Sequence, residues 1–228
     1  MPLLGQAALA MWFDMEPARR VEFEHWHSHE HFPERLRIPG FLRGSRWQSA
    51  AGDDGYFVMY EVERHATLTS PHYLARLNDP TPWSTTLMPH HRNMVRSQCR
   101  TVATFGGGIA RSMLTVRLAP AVGRADQLRA YLTAWLRQLP QRPGITGAHL
   151  LQTETPAAAL TKEQKIRGGD AVADWIALVS GYEMHALEDL RQHGLDALSL
   201  NDAGATPVQL TTTHRLSFAM LPGDLDRA

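Results

Sequence analysis

The chain has 228 residues, with 23 Lys and Arg side chains against 23 Asp and Glu, 12 histidines and one cysteine. Zero formal net charge argues against a nucleic-acid-binding protein, which usually concentrates a basic excess on one face. The single cysteine, Cys99, excludes an internal disulfide and a cysteine-built zinc site, and it fits a reducing compartment. No apolar run approaches the roughly 18 residues that a membrane span needs. We therefore expect a cytoplasmic globular protein that binds neither nucleic acid nor membrane.

The first half of the chain alternates strand and helix patterns. The predicted elements are a strand at 8–14, a helix at 16–31, strands ending at 47 and covering 56–62, helical patches at 70–78 and 82–95, and a strand at 100–105. In the 56–62 strand, Tyr56, Val58, Tyr60 and Val62 share one face because side chains alternate along a strand.

The second half repeats this order. Its predicted elements are a strand at 111–118, a helix at 124–138, strands at 145–152 and 175–182, a helix at 185–193 and a strand at 209–220. A Pro-Gly turn occurs in each half, at 39–40 and at 143–144, and a Tyr-Glu pair occurs at 60–61 and 182–183. The shared order and these matches indicate a tandem duplication.

Each half thus has the order β-α-β-β-α-β, which is the ferredoxin-like arrangement. Such a unit makes one antiparallel sheet with helices on one face and leaves the other face to be covered. We predict an α+β protein of two tandem ferredoxin-like modules, 1–106 and 107–228, whose antiparallel sheets pack face to face. Gly106, Gly107 and Gly108 are interpreted as the linker. The 153–174 loop in the second half is long enough to serve as a lid, so we expect the first module to carry the site and the second to be mainly structural.

The densest cluster of ionisable groups lies between residues 24 and 35. In a helix, His25 and His29 share one face, and His27 and His31 share the next. Such a pair can ligate zinc, but the metalloprotease pattern needs Glu directly after the first His, and no distant ligand is evident. We therefore predict no metal site and expect most of these histidines to be solvated.

His31 differs from the other histidines because Pro33 should end or kink the helix there. A histidine at a helix C-terminus is stabilised in its protonated form by the helix dipole. Glu30 is adjacent and can orient the ring. An imidazole that titrates near neutrality is the commonest general acid or base, so His31 and Glu30 are the candidate catalytic residues.

Other side chains can complete a binding site. Trp83, in a Pro-broken helical segment, offers apolar surface for a flat ligand, and His90 (or its neighbour) with Asn93 can bind a carbonyl or carboxylate. Tyr60 can hydrogen-bond an enol or phenolate. Arg46 can supply a positive charge to an oxyanion.

The pattern Trp26-x-x-x-Glu30-His31-x-Pro33-Glu34-Arg35, followed by Ile38-Pro39-Gly40-Phe41 and Arg46-Trp47, resembles the dimeric α/β-barrel superfamily, and most of all its EthD-like members. The resemblance covers residues 6–105 well and 110–221 only by element order. It implies an intrachain dimeric α/β barrel with a cleft between sheet and helices that receives small hydrophobic or aromatic molecules. If the family site carries over, it belongs to the first half, at Glu30 and His31, with Trp26 as a substrate contact.

The resemblance sets an expectation of small-molecule chemistry without naming the reaction. We expect a cofactor-independent enzyme of the isomerase, lyase or dehydratase type, working by general acid/base chemistry in small-molecule catabolism. The alternatives are a cofactor-free monooxygenase, a haem-binding barrel, and a non-catalytic ligand-binding barrel. No cofactor is expected unless the haem alternative holds, and the tandem barrel can associate further as a homodimer.

Overall fold

The structure is a computed structural model that describes residues 3–154, 160–194, 197–207 and 210–227. Its strands form one closed antiparallel barrel in the order β1-β3-β2-β8-β5-β7-β6-β4. The strands are β1 (Ala7–Met15), β2 (Phe41–Ser49), β3 (Gly55–Val62), β4 (His91–Gly106), β5 (Ser112–Leu118), β6 (Ile145–Thr153), β7 (Trp175–Gly181) and β8 (Leu210–Met220).

Helices lie on the outside of the barrel. They are α1 (Arg20–Trp26), α2 (Phe32–Leu36), α3 (Pro71–Asn78), α4 (Pro82–Leu87), α5 (Ala125–Gln138), α6 (Lys162–Arg167), α7 (Met184–Asp189) and α8 (Ala197–Asp202). Two π-helical turns, His27–His31 and Leu190–Gly194, extend α1 and α7. Within the residues that the structure describes, no helix is both long enough and apolar enough to span a bilayer.

The two halves of the chain contribute four neighbouring strands each. The first half gives β4-β1-β3-β2 and the second gives β8-β5-β7-β6, and pairing of β2 with β8 and of β4 with β6 closes the ring. The expected α+β class and the face-to-face pairing of two ferredoxin-like sheets in one chain are confirmed. The domain boundary at 106 and 107 stays a prediction.

Side chains alternate between the inside and the outside of the barrel along every strand. In β3, the predicted face of Tyr56, Val58, Tyr60 and Val62 packs under the helices of the first half, while Phe57 and Met59 point into the barrel. A separate cluster lies beneath the helices of the second half. The barrel interior is filled by side chains, as is usual for eight strands.

Two element boundaries differ from the sequence prediction. Residues 91–95, predicted as helix, form the start of β4, where His91 pairs with Met15 of β1. Pro89 has no amide hydrogen with which to continue α4, which ends at Leu87. A short 3-10 turn at Met88–His90 follows, and the chain then pairs as a strand. The first helix, residues 20–36, runs past Pro33 to Leu36 instead of ending near His31.

Residues 160–174 of the second half cross onto the first half, and we call them the covering segment. The amide of Ala171 donates to the carbonyl of Met94, and the amide of Arg96 donates to the carbonyl of Ala171 at 2.8 Å. The amide of Lys162 donates to Oδ1 of Asn78 in α3. Part of the predicted long loop, 155–159, lies outside the described residues. The described remainder carries α6 and covers the outer edge of β4.

Gly44 of β2 lets the first helix approach the sheet. A Cβ at this position would overlap with the Phe32 ring of α2. We predict that Gly44→Ala lowers the free energy of unfolding by about 1–3 kcal/mol, because overpacking forces the helix or ring to move. Urea denaturation measures the change. Gly223→Ala, where the added methyl meets open space, is the control; equal stability of both variants would contradict the prediction.

Candidate functional site

The first helix contains a π turn just before its proline. The amide of Phe32 bonds to the carbonyl of His27, five residues back. Pro33 has no amide hydrogen and its ring would crowd the carbonyl four residues earlier, so the wider turn lets the helix continue. The prediction that the helix ends at His31 is therefore wrong. His31 lies inside the helix, where no helix C-terminus acts on it.

The four histidines divide between two faces as the spacing predicts. The rings of His25 and His29 lie 4.3 Å apart on the exposed face, and those of His27 and His31 stack at 5.3 Å on the buried face. The expectation that most of the four are solvated is wrong for the second pair, which is 3% and 8% exposed.

A third histidine, His91, joins the buried face from the start of β4. Its ring lies 4.6 Å from Phe13 and 5.5 Å from Phe23, and its Nδ1 donates to the carbonyls of Leu87 and Met88. Nδ1 of both His27 and His31 is buried without a hydrogen-bond partner. Three imidazoles thus occupy an aromatic layer between the first helix and the barrel.

Burial keeps these imidazoles neutral. Desolvation lowers the pKa of His27 and of His31 well below the usual 6.5, and nearby Arg35 lowers both further. Burial lowers the pKa of His91 to about 3. The expectation that His31 is favoured in its protonated form is therefore wrong, because burial acts on the ring and a helix dipole does not.

Glu30 is held in place by two donors. Nε1 of Trp26 donates to Oε1 of Glu30 at 3.1 Å, and Oγ1 of Thr81 donates to the same oxygen at 2.5 Å. Thr81 is also the N-cap of α4, where its hydroxyl accepts from the amide of Ser84. The Trp26 ring lies 4.5 Å from the ring of His31. Glu30, Trp26 and His31 therefore form one unit, with the carboxylate outermost.

The Glu30 carboxylate faces an open groove of about 540 Å³, which we call the helix groove. It runs between the first helix and α3. Its lining residues are His29, Glu30, Glu34, Arg37, Ile38, Pro39, His72, Ala75, Arg76 and Thr81. Seven of these ten residues are charged or polar, and Ile38, Pro39 and Ala75 are apolar, but the greater part of the accessible surface of the lining is apolar.

A buried network of charges supports the groove from below. Nη1 of Arg35 donates to Glu34 at 3.2 Å, and Nη2 pairs with Glu163 of the covering segment. Arg76 binds the other oxygen of Glu34. Burial, the largest single effect, lowers the pKa of Arg35, but Glu163 together with Tyr73, Glu34 and Tyr60 outweighs burial, and the pKa of Arg35 is raised. Burial raises the pKa of Glu34, against the opposing effect of Arg35 and Arg76.

The second half therefore contributes directly to the base of this site. Arg167 of the covering segment binds Asp170 at 3.0 Å and lies 3.7 Å from Glu163. Its charge lowers the pKa of His31 and His91, in addition to the larger effect of burial.

Two of the predicted binding residues lie behind the groove. Arg46 donates to the carbonyl of Glu24, and its guanidinium is placed between the rings of Phe23 and Phe218 at 5.7 Å from each. The hydroxyl of Tyr60 is buried without a partner, beneath Phe32. Neither lines the helix groove.

The other three predicted residues lie in different elements: Trp83 in α4, His90 in the turn after it and Asn93 in β4. Trp83 packs against His25 at 5.5 Å, near the groove. His90 bonds Glu16 at 2.6 Å, and Asn93 donates to Asp14 at the end of the barrel. The structure thus brings together Trp26, Glu30 and His31, and separates His90 and Asn93 from them.

Sequence reasoning missed the roles of Thr81, Arg76 and Glu163. A threonine before Pro82 is a recognisable N-cap signal, and it could have pointed to Thr81. The pairing of Arg35 with Glu163 joins residues 128 positions apart and has no local signal.

Within the described ranges, no three His, Cys, Asp or Glu side chains are grouped so that they could hold a metal ion.

We predict that stability falls steeply as the pH drops from 7 to 5. Burial lowers the pKa of His91 to about 3 and of His149 and His214 to about 4, and it lowers those of His27 and His31. Below the unfolded value of 6.5, the unfolded chain binds protons that the folded chain does not. Each such histidine should therefore remove about 1.4 kcal/mol per pH unit from the free energy of unfolding.

Urea denaturation at pH 7.5, 6.5 and 5.5 measures this slope. The substitution His91→Phe fits the surrounding rings. It should reduce the slope by the amount that one proton contributes, about 1.4 kcal/mol per pH unit. His72→Asn, at an exposed position, should leave it unchanged. A slope equal in the wild type and in His91→Phe would contradict the assignment.

We also predict that Glu163→Gln destabilises the fold by about 3–5 kcal/mol, because it leaves the buried Arg35 without its main counter-charge. The double variant Arg35→Met with Glu163→Gln should cost less than the two single variants together. Chemical denaturation measures the cycle. Asp126→Asn, in an exposed pair with Arg129, is the matched control and should change stability by less than about 1 kcal/mol. Additive effects of the two buried substitutions would refute the coupling.

No family model matches the sequence, and no curated protein matches it. Solved structures do share its shape. An anthrone oxidase-like protein has a TM-score of 0.69 at 11% identity, covering 98% of this chain and 96% of its own. A protein assigned as a monooxygenase from Lactobacillus acidophilus has a TM-score of 0.59 at 8% identity, covering 95% and 96%. A protein assigned as a chlorite dismutase has a TM-score of 0.54 at 10% identity, covering 96% and 97%.

These comparisons correct the expectation about cofactors. Solved structures of this fold include the protein assigned as a chlorite dismutase, so the expectation of a site without cofactor is contradicted.

The haem alternative left the axial ligand open between a histidine of the 24–35 cluster and a histidine of the second half, His149, His185, His193 or His214, and the structure bears here on the two buried histidines of the cluster. The ring of His27 packs on Phe32 at 4.3 Å and that of His31 on Trp26 at 4.5 Å, so neither faces a slot for a flat macrocycle. At these identities the likeness establishes the fold: the chain is a closed eight-stranded α+β barrel like the dimeric α/β-barrel proteins.

Proposed function

We propose that the protein is an enzyme that transfers a proton on a small organic molecule held in the helix groove. The observation that carries the proposal is the placement of Glu30. Its Oε1 accepts from both Trp26 and Thr81, and its Oε2 has no hydrogen-bond partner among the described residues. A carboxylate fixed at one oxygen and free at the other, at the wall of a groove, has the geometry of a general base.

The lining of the groove indicates the class of substrate. Ile38, Pro39 and Ala75 can contact a ring or short apolar body, while Arg37 and His72 supply positive charge or hydrogen-bond donors. A small aromatic or carbonyl compound with an oxygen substituent satisfies both. The accessible surface of the lining is more apolar than polar, which supports a mainly apolar substrate that carries a polar group.

The reaction that fits is proton removal from a carbon next to a carbonyl group. The proton moves to Glu30, the C–H electron pair enters the carbon–oxygen system, and the enolate oxygen is stabilised by Arg37 or His72. Return of the proton at another carbon gives an isomerase, and loss of a leaving group gives a lyase or dehydratase. The role of Glu30 is the same in each case.

His31 and Trp26 act in this proposal as positioning residues. Neutral His31 supports the Trp26 ring, and Trp26 holds the carboxylate of Glu30. Trp83, near the mouth of the groove, is proposed as a substrate contact. Arg46 and Tyr60 support the helix from beneath, and we assign His90 and Asn93 no part in this groove.

Several predictions from the sequence are carried forward as proposals. The order of elements supports a tandem duplication divided at 106 and 107, with the first module carrying the site, and the motif around Trp26 supports an EthD-like origin. The buried single thiol of Cys99 supports a reducing, cytoplasmic environment. Association of two barrels into a homodimer stays a prediction for sedimentation analysis.

The test of the proposed function is catalysed hydrogen exchange. A panel of enolisable aryl ketones and β-diketones in D2O is followed by proton NMR, which reports loss of the acidic C–H. We predict that the wild type accelerates exchange of at least one probe and that Glu30→Gln slows it by about 10²–10⁴-fold, the usual contribution of a positioned base.

Glu22→Gln is the matched control. It makes the same change of charge on the same helix, at a residue paired with Arg19 outside the groove, and should leave the rate unchanged. Exchange that is insensitive to Glu30→Gln would refute the role of this carboxylate. Saturable binding of the probes without any exchange would instead assign the groove to non-catalytic ligand binding.

A further inference from the structure

The two walls of the helix groove run in opposite directions. Near one end, Oγ1 of Thr81 donates to Glu30. One turn further along the first helix, Arg76 of α3 binds Glu34 at 3.2 Å. Thr81 follows Arg76 in the chain, whereas Glu30 precedes Glu34, so residue numbers fall along one wall as they rise along the other. The groove therefore has one end at Glu30 and its other end beyond Glu34.

Arg37 and His72 lie towards this other end. A Cβ on Gly40 would lie 2.8 Å from Oγ1 of Thr67, so the two walls meet again there. Arg37 falls between positions 34 and 40 on one wall, and His72 falls between positions 67 and 76 on the other. Both residues line the groove and are exposed. Seven positions separate Glu30 from Arg37, which corresponds to a rise of about 10 Å along a helix.

The two ends of the groove carry opposite charges without partners. Arg37 is exposed, and its guanidinium has no ion pair or hydrogen bond with any described residue. Oε2 of Glu30 is also without a hydrogen-bond partner in the described part of the chain. Between them, one oxygen of Glu34 binds Arg35 and the other binds Arg76, so the charges in the middle of the groove are paired. The groove is thus negative at one end and positive at the other.

Apolar surface adjoins the positive end. Ile38 and Pro39 follow Arg37 directly, and all three line the groove. The accessible surface of the whole lining is more apolar than polar. A cationic group would be repelled at this end, and a wholly apolar ring would make no use of the guanidinium. An apolar body that carries an anionic group matches both features.

We propose that the substrate of the helix groove is an organic carboxylate, and that Arg37 is the residue that selects it. The planar guanidinium can donate two parallel hydrogen bonds to a carboxylate. The acidic carbon of the substrate then faces Glu30, and His72 is left as the donor to the enolate oxygen. The position of the acidic carbon rests on the proposed function, whereas the binding of the carboxylate can be tested without turnover.

The test compares 4-acetylbenzoate and 3-acetylbenzoate with their methyl esters. Each ester has the same ring and the same acidic methyl ketone as its acid but carries no charge. Binding to the wild type and to Glu30→Gln is measured by ligand-detected proton NMR titration. We expect at least one acid to bind about tenfold more tightly than its ester, because a charge-assisted pair replaces a neutral contact. Equal affinities within both pairs, or no binding by either acid, would overturn the proposal.

The variant Arg37→Gln locates the carboxylate. It keeps a hydrogen-bond donor but removes the charge, so it should weaken binding of the acid about tenfold and that of the ester by less than about threefold. Arg142→Gln is the matched control, because Arg142 is an exposed arginine beside the Pro-Gly turn of the second half and does not line the groove. It should change neither affinity. An equal loss of acid and ester in Arg37→Gln, or an equal loss of the acid in both variants, would refute the assignment.

Hydrogen exchange separates this inference from the proposed function. For the acid, Arg37→Gln should raise KM about tenfold and leave kcat within about threefold, since the carboxylate contact is made equally in the ground state and the transition state. If Arg37 selects the acid but Glu30→Gln does not slow exchange, the carboxylate site stands and the role of Glu30 fails. If Glu30→Gln slows exchange but acid and ester are bound equally, the reaction stands and the carboxylate site fails.

Discussion

Closure of the barrel is the constraint on which the rest of the structure depends. Backbone hydrogen bonds between β2 and β8 and between β4 and β6 join the two halves of the chain, so the sheet has no free edge. Once the ring is closed, each strand must place alternate side chains inside and outside. The helices can then lie only on the outer face, and the helix groove follows from this division because it lies between helices on the outside.

The closed barrel accommodates an unusual number of buried polar groups. Burial lowers the pKa of five of the buried histidines, His27, His31, His91, His149 and His214, and Arg35 and Glu163 form an ion pair removed from water. Replacing such groups with apolar side chains of the same shape is often neutral or stabilising. The His31 ring packs on Trp26, which holds Glu30, and the Arg35–Glu163 pair lies beneath the same helix, so these groups support the placement of Glu30.

Much of the architecture could be read from periodicity and turns. The repeated strand and helix order, the Pro-Gly turns and the alternation at Tyr56–Val62 led to the correct class and to the correct outward face of Tyr60. The division of the histidines into His25 with His29 and His27 with His31 also followed from helical spacing. The error at Pro33 arose because the local rule that proline ends a helix does not foresee a π turn, and the error at 91–95 arose because strand pairing with β1 overrides local helical preference.

The sequence by itself determined which residues could share a face, since that depends only on the 3.6-residue and two-residue periods of helix and strand. Tertiary structure alone decided the surroundings of each side chain. It buried His31 and made it neutral, set Thr81 against Glu30, and brought Glu163 to Arg35 across more than half the chain. It also separated His90 and Asn93 from the helix groove and put Asn93 beside Asp14. These outcomes depend on desolvation and on contacts between distant segments, and neither is encoded in the spacing of neighbouring residues.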